Sequence, residues 1–267
     1  VSALGWGPED GTPVLALHGW LDNAASFERL APLVPEARIV ALDLPAHGRS
    51  DHWPVGHVHH FVDWVPVAIE AADALGWERF SLLGHSMGAG IASLLPAVIP
   101  DRIDRLAMLE GVGPAVTPPE KTAEQLASAI TSEAELSAEG NRWFPDLETA
   151  VSARCRDSDL DRASAELLVR RGTETSDRGV RFTHDPRMKS RSRLRLTEDQ
   201  VRAFLTAIGC PTLVVGATGG WPLPPDFITK RVAMIPDVTF VQVEGGHHVH
   251  LTHPERVAGI VREFLLG

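Results

Sequence analysis

The feature that most constrains this chain is a short apolar run, residues 80–83, that passes without a break into Gly84-His85-Ser86-Met87-Gly88. Small apolar residues follow from Met87 to Ile99, so a strand, a tight turn and a helix stand in immediate succession. A strand this short and this uniformly apolar is buried on both faces, as in a parallel sheet covered by helices. Pro96 is expected to kink the following helix or mark its last turns. The same grammar recurs along the chain. Runs at 14–17, 38–42, 106–109, 212–215 and 239–243 read as strands, and the stretches at 61–76, 197–208 and 254–266 read as helices. In the first of these helices Ala68, Ile69, Ala72 and Leu75 share a face and Gly76 is a stop signal. Little before Gly11 reads as a complete strand. Strands alternating with helices predict an α/β fold, a mostly parallel doubly wound sheet built from right-handed crossovers.

The alternation breaks after Val112. Prolines stand at 114, 118 and 119, and amphipathic helical stretches follow near 120–138, 146–155 and 159–171. Residues 113–197 hold 14 acidic and 14 basic side chains, so the acid excess, 21 against 11, lies wholly outside them. The expected organisation is a core at 1–112 and 198–267 with a helical cap at 113–197. A 267-residue chain is long enough to hold a core without disulfides or metal. Its two cysteines, Cys155 and Cys210, lack metal-ligand spacing and read as free thiols in a reducing cytoplasm. No apolar run approaches the about 18 residues of a membrane span. A net charge of −10 argues against nucleic-acid binding. Arg187, Lys189, Arg191, Arg193 and Arg195 alternate in the basic stretch that ends the cap, and they read as a solvated linker.

A Gly-x-Ser-x-Gly pattern is weak by itself, and its bland reading is a tight strand-to-helix turn. Its setting makes Ser86 a candidate nucleophile, because a sharp turn at the sheet edge exposes the hydroxyl above a helix N-terminus. Such a hydroxyl needs a general base. Gly246-His247-His248 lies between the last strand and the last helix, at the same sheet edge, and offers His247, with His248 as the alternative. The histidines at 247, 248, 250 and 253 fit no zinc spacing and have no cysteine nearby, so neither a metal nor a cofactor is expected. His57, His59 and His60 read as decoration of a loop. The backbone N–H groups of Met87 and of Trp20, in the loop after the first strand, are candidate oxyanion donors. His18 is expected to prop that loop, and the Trp20 ring to line an acyl pocket or simply to pack.

Together His18-Gly19-Trp20, Asp43-Leu44-Pro45-Ala46-His47-Gly48-Arg49-Ser50, Gly84-His85-Ser86-Met87-Gly88 and Gly246-His247 with His253-Pro254-Glu255 resemble the α/β-hydrolase fold family across the core. The stretch from His18 to Phe27 resembles more narrowly the serine hydrolase-like proteins. Ala46 departs from the glycine usual at that turn. The resemblance implies a chain order of serine, acid, histidine, with the acid after the strand at 212–215. This chain has Gly216-Ala217-Thr218-Gly219-Gly220-Trp221 there and no carboxylate before Asp226. Glu110, at the end of the strand following the nucleophile's own βα unit, is the preferred acid. Asp226, or a dyad without an acid, is the alternative. The implied activity is hydrolysis of a small-molecule acyl substrate, most simply a carboxylic ester, through an acyl-serine. Thioester, lactone, amide and C–C bond hydrolysis stay open, and a serine nucleophile disfavours dehalogenase and epoxide hydrolase chemistry. A ligand receptor that keeps the fold is the rival class, supported only by the displaced acid. Trp143, Phe144 and Phe182 are expected to pack the cap's own interior.

Overall fold

A computed structural model describes residues 1–54, 56–224 and 226–267, the side chains of residues 137–139 excepted. Its main sheet has seven strands: β1 (Ser2–Trp6), β2 (Thr12–Leu17), β3 (Ala37–Asp43), β4 (Phe80–His85), β5 (Ile103–Leu109), β9 (Thr212–Gly219) and β10 (Val238–Gly246). Their spatial order is β1-β3-β2-β4-β5-β9-β10. Only β1 runs antiparallel, against β3, and every other pairing is parallel. The expected doubly wound α/β sheet is therefore present. The N-terminal strand is the exception to the sequence reading: Ser2–Trp6 alternates half-buried and exposed positions at a sheet edge, and so lacks the apolar run that marks the interior strands.

Side chains along the central strands alternate between two cores. Leu15, Leu17 and Leu82 face one with α1 (Trp64–Ala74) and α7 (Glu198–Thr206), while Val14, Ala16 and Leu83 face the other with α10 (Glu255–Leu266). Helix α10 buries Val257, Val261 and Leu265 at four-residue spacing, each contributing roughly 1.5–3 kcal/mol of apolar burial. The apolar segment after Ser86 forms α2 (Met87–Ala92) and α3 (Leu95–Val98), interrupted just ahead of Pro96, as a missing N–H and a ring clash require. Short helices α8 (Phe227–Val232) and α9 (Val249–Thr252) complete the core. Among the described residues, no helix is long and apolar enough to cross a membrane.

Between β5 and β9 the chain leaves the sheet. It forms α4 (Thr122–Glu139), α5 (Leu147–Arg156) and α6 (Arg162–Arg171), close to the amphipathic stretches read from sequence. The insert is not purely helical: β6 (Trp143–Phe144), β7 (Thr173–Ser176) and β8 (Gly179–Phe182) form a small antiparallel sheet in the order β6-β8-β7. Strands of two to four residues are too short to register as periodic patterns. Phe144 is buried with Val151, Leu168 and Val180, and Phe182 packs edge-on to it at 5.7 Å, so these rings do hold the insert together. Trp143 instead lies under the guanidinium groups of Arg178 and Arg181.

Candidate active site

Every parallel strand of the sheet points its carboxyl end at one edge, and the candidate residues collect there. Ser86 follows β4 with φ 51° and ψ −112°, a left-handed conformation that costs a non-glycine residue on the order of 1–3 kcal/mol. Close packing enforces it. A Cβ at Gly88 would stand 1.9 Å from the Leu17 carbonyl oxygen, and one at Gly84 2.5 Å from the Ala89 Cα. Only glycine lets α2 pass this near β2 and β4. The Ser86 N–H donates to the Leu109 carbonyl at 2.9 Å, fixing the turn against β5.

His247 follows β10, with Nε2 2.9 Å from Ser86 Oγ and Nδ1 3.1 Å from Glu110 Oε2. A carboxylate only accepts, so Nδ1 carries the ring proton and Nε2 is left to accept from the serine hydroxyl. Glu110 is buried, and it too has a positive φ, 52°. The glycine loop that lacks a carboxylate receives this one. The Ala217 N–H donates to Glu110 Oε1 at 2.5 Å and the Trp221 N–H to Oε2 at 3.2 Å. A Cβ at Gly220 would lie 2.1 Å from Oε2, so the absent side chain makes the acid's seat. Asp226 is exposed and caps α8 without a side-chain bond, whereas His247 Nδ1 is bonded to Glu110. The indole of Trp221, largely exposed, stands 5.4 Å from the His247 ring.

The loop after β2 is held by His18. The Leu44 N–H donates to His18 Nε2 at 3.1 Å, which leaves Nδ1 to donate to the Gly19 carbonyl at 2.7 Å. Burial lowers the pKa of His18, keeping the ring neutral for this double role. Among the described residues, the N–H groups of Trp20 and Met87 donate to no protein acceptor. The Trp20 indole is about half exposed and donates to the Met188 carbonyl of the insert at 2.8 Å. Below the loop, buried Asp43 accepts from the Ala24 and Arg49 N–H groups and from Arg171 of α6. Ala46 takes φ 72° in this turn, the conformation glycine would adopt without strain.

The neighbouring histidines are bonded elsewhere. His248 lies between Asp159 of the insert, at 2.5 Å, and Asp22, at 3.4 Å. Burial alone would lower its pKa, but those two carboxylates raise it to about 9, and both of its ring nitrogens face them rather than Ser86. His250 is buried against Ser26 Oγ at 2.9 Å, burial and the charge of His248 pushing its pKa down to about 3. His253 is exposed beside Glu255. His85, a spacer in the sequence motif, is wholly buried and holds the His247 carbonyl at 2.9 Å through Nε2. No sequence signal marked that role, because the partner is a backbone atom 162 residues away. Asp22, His85 and His248 also bring three potential ligand atoms within 4.8 Å of one another.

Elsewhere the loop histidines do more than decorate. His59 and Arg187 both meet the buried Asp185 carboxylate, and Arg187 also donates to the His57 carbonyl. Burial would raise the Asp185 pKa, but His59 and Arg187 hold it far below the usual carboxylate range. The basic stretch is thus partly fixed rather than freely solvated, with Arg193 paired to Glu133 as well. Cys155 and Cys210 are free thiols.

A family model for the α/β-hydrolase fold matches residues 12–254. The chain is similar to a serine hydrolase-like protein of Danio rerio, 32% identical over 97% of this chain and 83% of that protein. A crystal structure of a hypothetical protein from Pseudomonas aeruginosa PAO1 superposes with a TM-score of 0.93 and 38% identity, covering 99% of this chain and 95% of that one. The thioesterase domain of the curacin biosynthetic pathway superposes with a TM-score of 0.84 at 25% identity, covering 99% and 94%. The chain belongs to the α/β-hydrolase fold family, and over nearly its whole length it resembles the serine hydrolase-like proteins.

Proposed function

We propose that this chain is a serine hydrolase that cleaves carboxylic esters or related small acyl substrates through an acyl-serine, with the insert at 113–197 acting as its cap. The observation that carries the reading is the unbroken relay from Ser86 Oγ through His247 to Glu110, at 2.9 and 3.1 Å. His247 Nε2 takes the hydroxyl proton as Ser86 Oγ attacks the acyl carbon, and Glu110 stabilises the imidazolium formed. The N–H groups of Trp20 and Met87 receive the oxyanion, which develops where two backbone donors are unpaired. Nε2 then protonates the leaving oxygen; it next takes a proton from the water that attacks the acyl-serine and returns it to Ser86 Oγ as the acyl–Oγ bond breaks and the acid departs.

The receptor reading drew on a displaced triad acid. A glutamate seated by two backbone N–H groups and bonded to the base removes that support. Ser86→Ala tests the proposal: the variant should lose both turnover of short p-nitrophenyl esters and labelling by a fluorophosphonate. Hydrolysis persisting in a folded S86A protein would refute it. Parallel turnover of thioesters and lactones by the intact protein ranks the acyl classes.

A further inference from the structure

Behind Ser86 and His247, Asp22, His85 and His248 bring one potential ligand atom each within 4.8 Å of one another. His85 Nε2 faces the His247 carbonyl at 2.9 Å, and a carbonyl only accepts, so Nε2 carries the ring proton and Nδ1 a lone pair. That Nδ1 is buried and has no hydrogen-bond partner among the described residues. It looks at Asp22 Oδ2, 3.7 Å away. A lone pair set against a carboxylate oxygen in a dry interior is repulsive unless a cation lies between them. His248 is oriented in the same sense: Nδ1 donates to Asp159 Oδ1 at 2.5 Å, and Nε2 stands 3.4 Å from the same Asp22 Oδ2. The other oxygen of Asp22 is taken by Arg154 at 2.5 Å.

Each of the three residues therefore has its outer atom occupied; of the inner atoms, His85 Nδ1 has no partner among the described residues, while Asp22 Oδ2 takes only long contacts, 3.4 Å from both Ser26 Oγ and His248 Nε2. Outer partners of this kind fix tautomer and orientation in metal sites. Donors held tetrahedrally at about 2.0–2.2 Å from zinc stand roughly 3.4 Å apart, which matches separations of 3.4 and 3.7 Å better than a hydrogen bond of about 2.9 Å does. A proton on His248 Nε2 would satisfy its pair with Asp22 but leave His85 Nδ1 unmet. Gly19 keeps the space open, since a Cβ there would stand 2.9 Å from His85 Nδ1 and 3.2 Å from Asp22 Oδ2.

We propose that Asp22, His85 and His248 bind one divalent transition-metal ion of the zinc class. Two imidazoles and a carboxylate suit that class of ion. Ser26 Oγ, 3.4 Å from Asp22 Oδ2, is the candidate fourth ligand. The ion takes no part in the hydrolytic steps. It ties the residue before the nucleophile to the residue after the base, and through Asp159 and Arg154 it fastens the insert to the sheet edge.

The full chain, stripped with a chelator, is titrated with Co2+ alone. One equivalent should bind with the visible absorption of a four-coordinate site, and Zn2+ should displace it and raise Tm. Asp22→Asn and His248→Gln should weaken binding by more than about 100-fold, and Asp159→Asn by about 10–100-fold. Ser86→Ala should bind as the parent does, so failure of the hydrolase reading would leave this result standing. If stripped parent protein binds no Co2+, the proposal is overturned. It is also overturned if folded Asp159→Asn, Asp22→Asn and His248→Gln proteins all retain parental affinity, which would put the metal on other histidines. Asp159 is an exposed residue, so its variant should disturb folding least.

Discussion

Replacing Glu110 with glutamine exchanges one carboxylate oxygen for an NH2 group and tests the whole relay. The amide has two ways to sit. With its oxygen on the Ala217 N–H, its NH2 group faces the Trp221 N–H at 3.2 Å and His247 Nδ1 at 3.1 Å. Flipped, it keeps Trp221 and His247 but sets NH2 against the Ala217 N–H at 2.5 Å. Donor against donor at 2.5 Å is the worse clash, so the first orientation wins. His247 must then accept at Nδ1 and carry its proton on Nε2, facing Ser86 Oγ with a donor where a base is needed. Loss of the correct tautomer costs about 10^4 in kcat, or about 5.5 kcal/mol of transition-state stabilisation. KM should change little, because Glu110 touches the base and not the substrate. Turnover of a short p-nitrophenyl ester and the rate of fluorophosphonate labelling both read the effect, with circular dichroism confirming the fold. A folded Glu110→Gln protein within tenfold of the parent would refute the reasoning. A large loss in Asp226→Asn, expected to be silent, would move the acid there.

Gly220→Ala places a methyl group into the Glu110 carboxylate and should lower kcat by at least about 100-fold while leaving the protein folded, as steady-state kinetics would show. Arg171→Met strands Asp43, a wholly buried carboxylate, without its guanidinium; urea unfolding should report a loss of about 3–5 kcal/mol. His184 is buried, and burial with the nearby Lys189 and Arg154 charges lowers its pKa from 6.5 to about 3. The unfolded chain therefore binds a proton at a pH where the folded one does not, so stability is full above pH 6.5 and is lost as pH falls toward about 3. Unfolding free energies measured across that window should fall less steeply in His184→Leu than in the parent.

Much of this architecture was legible because its signals are local. The strand at 80–83, the glycines at 84 and 88 and the small residues after Met87 each favour the same turn, and the turn needs all three. The position of Glu110, the proposed acid, at the same sheet edge as Ser86 was readable from topology, since adjacent parallel strands end at one edge. What escaped were features whose cause lies in another part of the chain. The edge strand Ser2–Trp6 takes its ladder partners from β3, far along the chain. The seat of Glu110 is made by two backbone N–H groups and a missing side chain at Gly220, none of which has a sequence signature. The meeting of Asp22, His85 and His248 joins two loops and the end of β4, which no spacing rule connects; the partners of His248 lie across the chain rather than among the neighbouring histidines at 247–253.

The insert's anchorage bears on how far this scaffold can be recombined. Asp22 with Arg154, Asn23 with the Leu168 carbonyl, and Asp43 with Arg171 all link α5 or α6 to the loops that begin where β2 and β3 end. The first of those loops also carries the Trp20 N–H. A chimera that imports a foreign insert onto this sheet would thus orphan two buried aspartates and loosen the loop that carries the proposed oxyanion donor in one cut. Grafts should succeed only where the partners at 154, 168 and 171 travel with residues 22, 23 and 43, so the inheritable unit is the insert together with its two supporting loops.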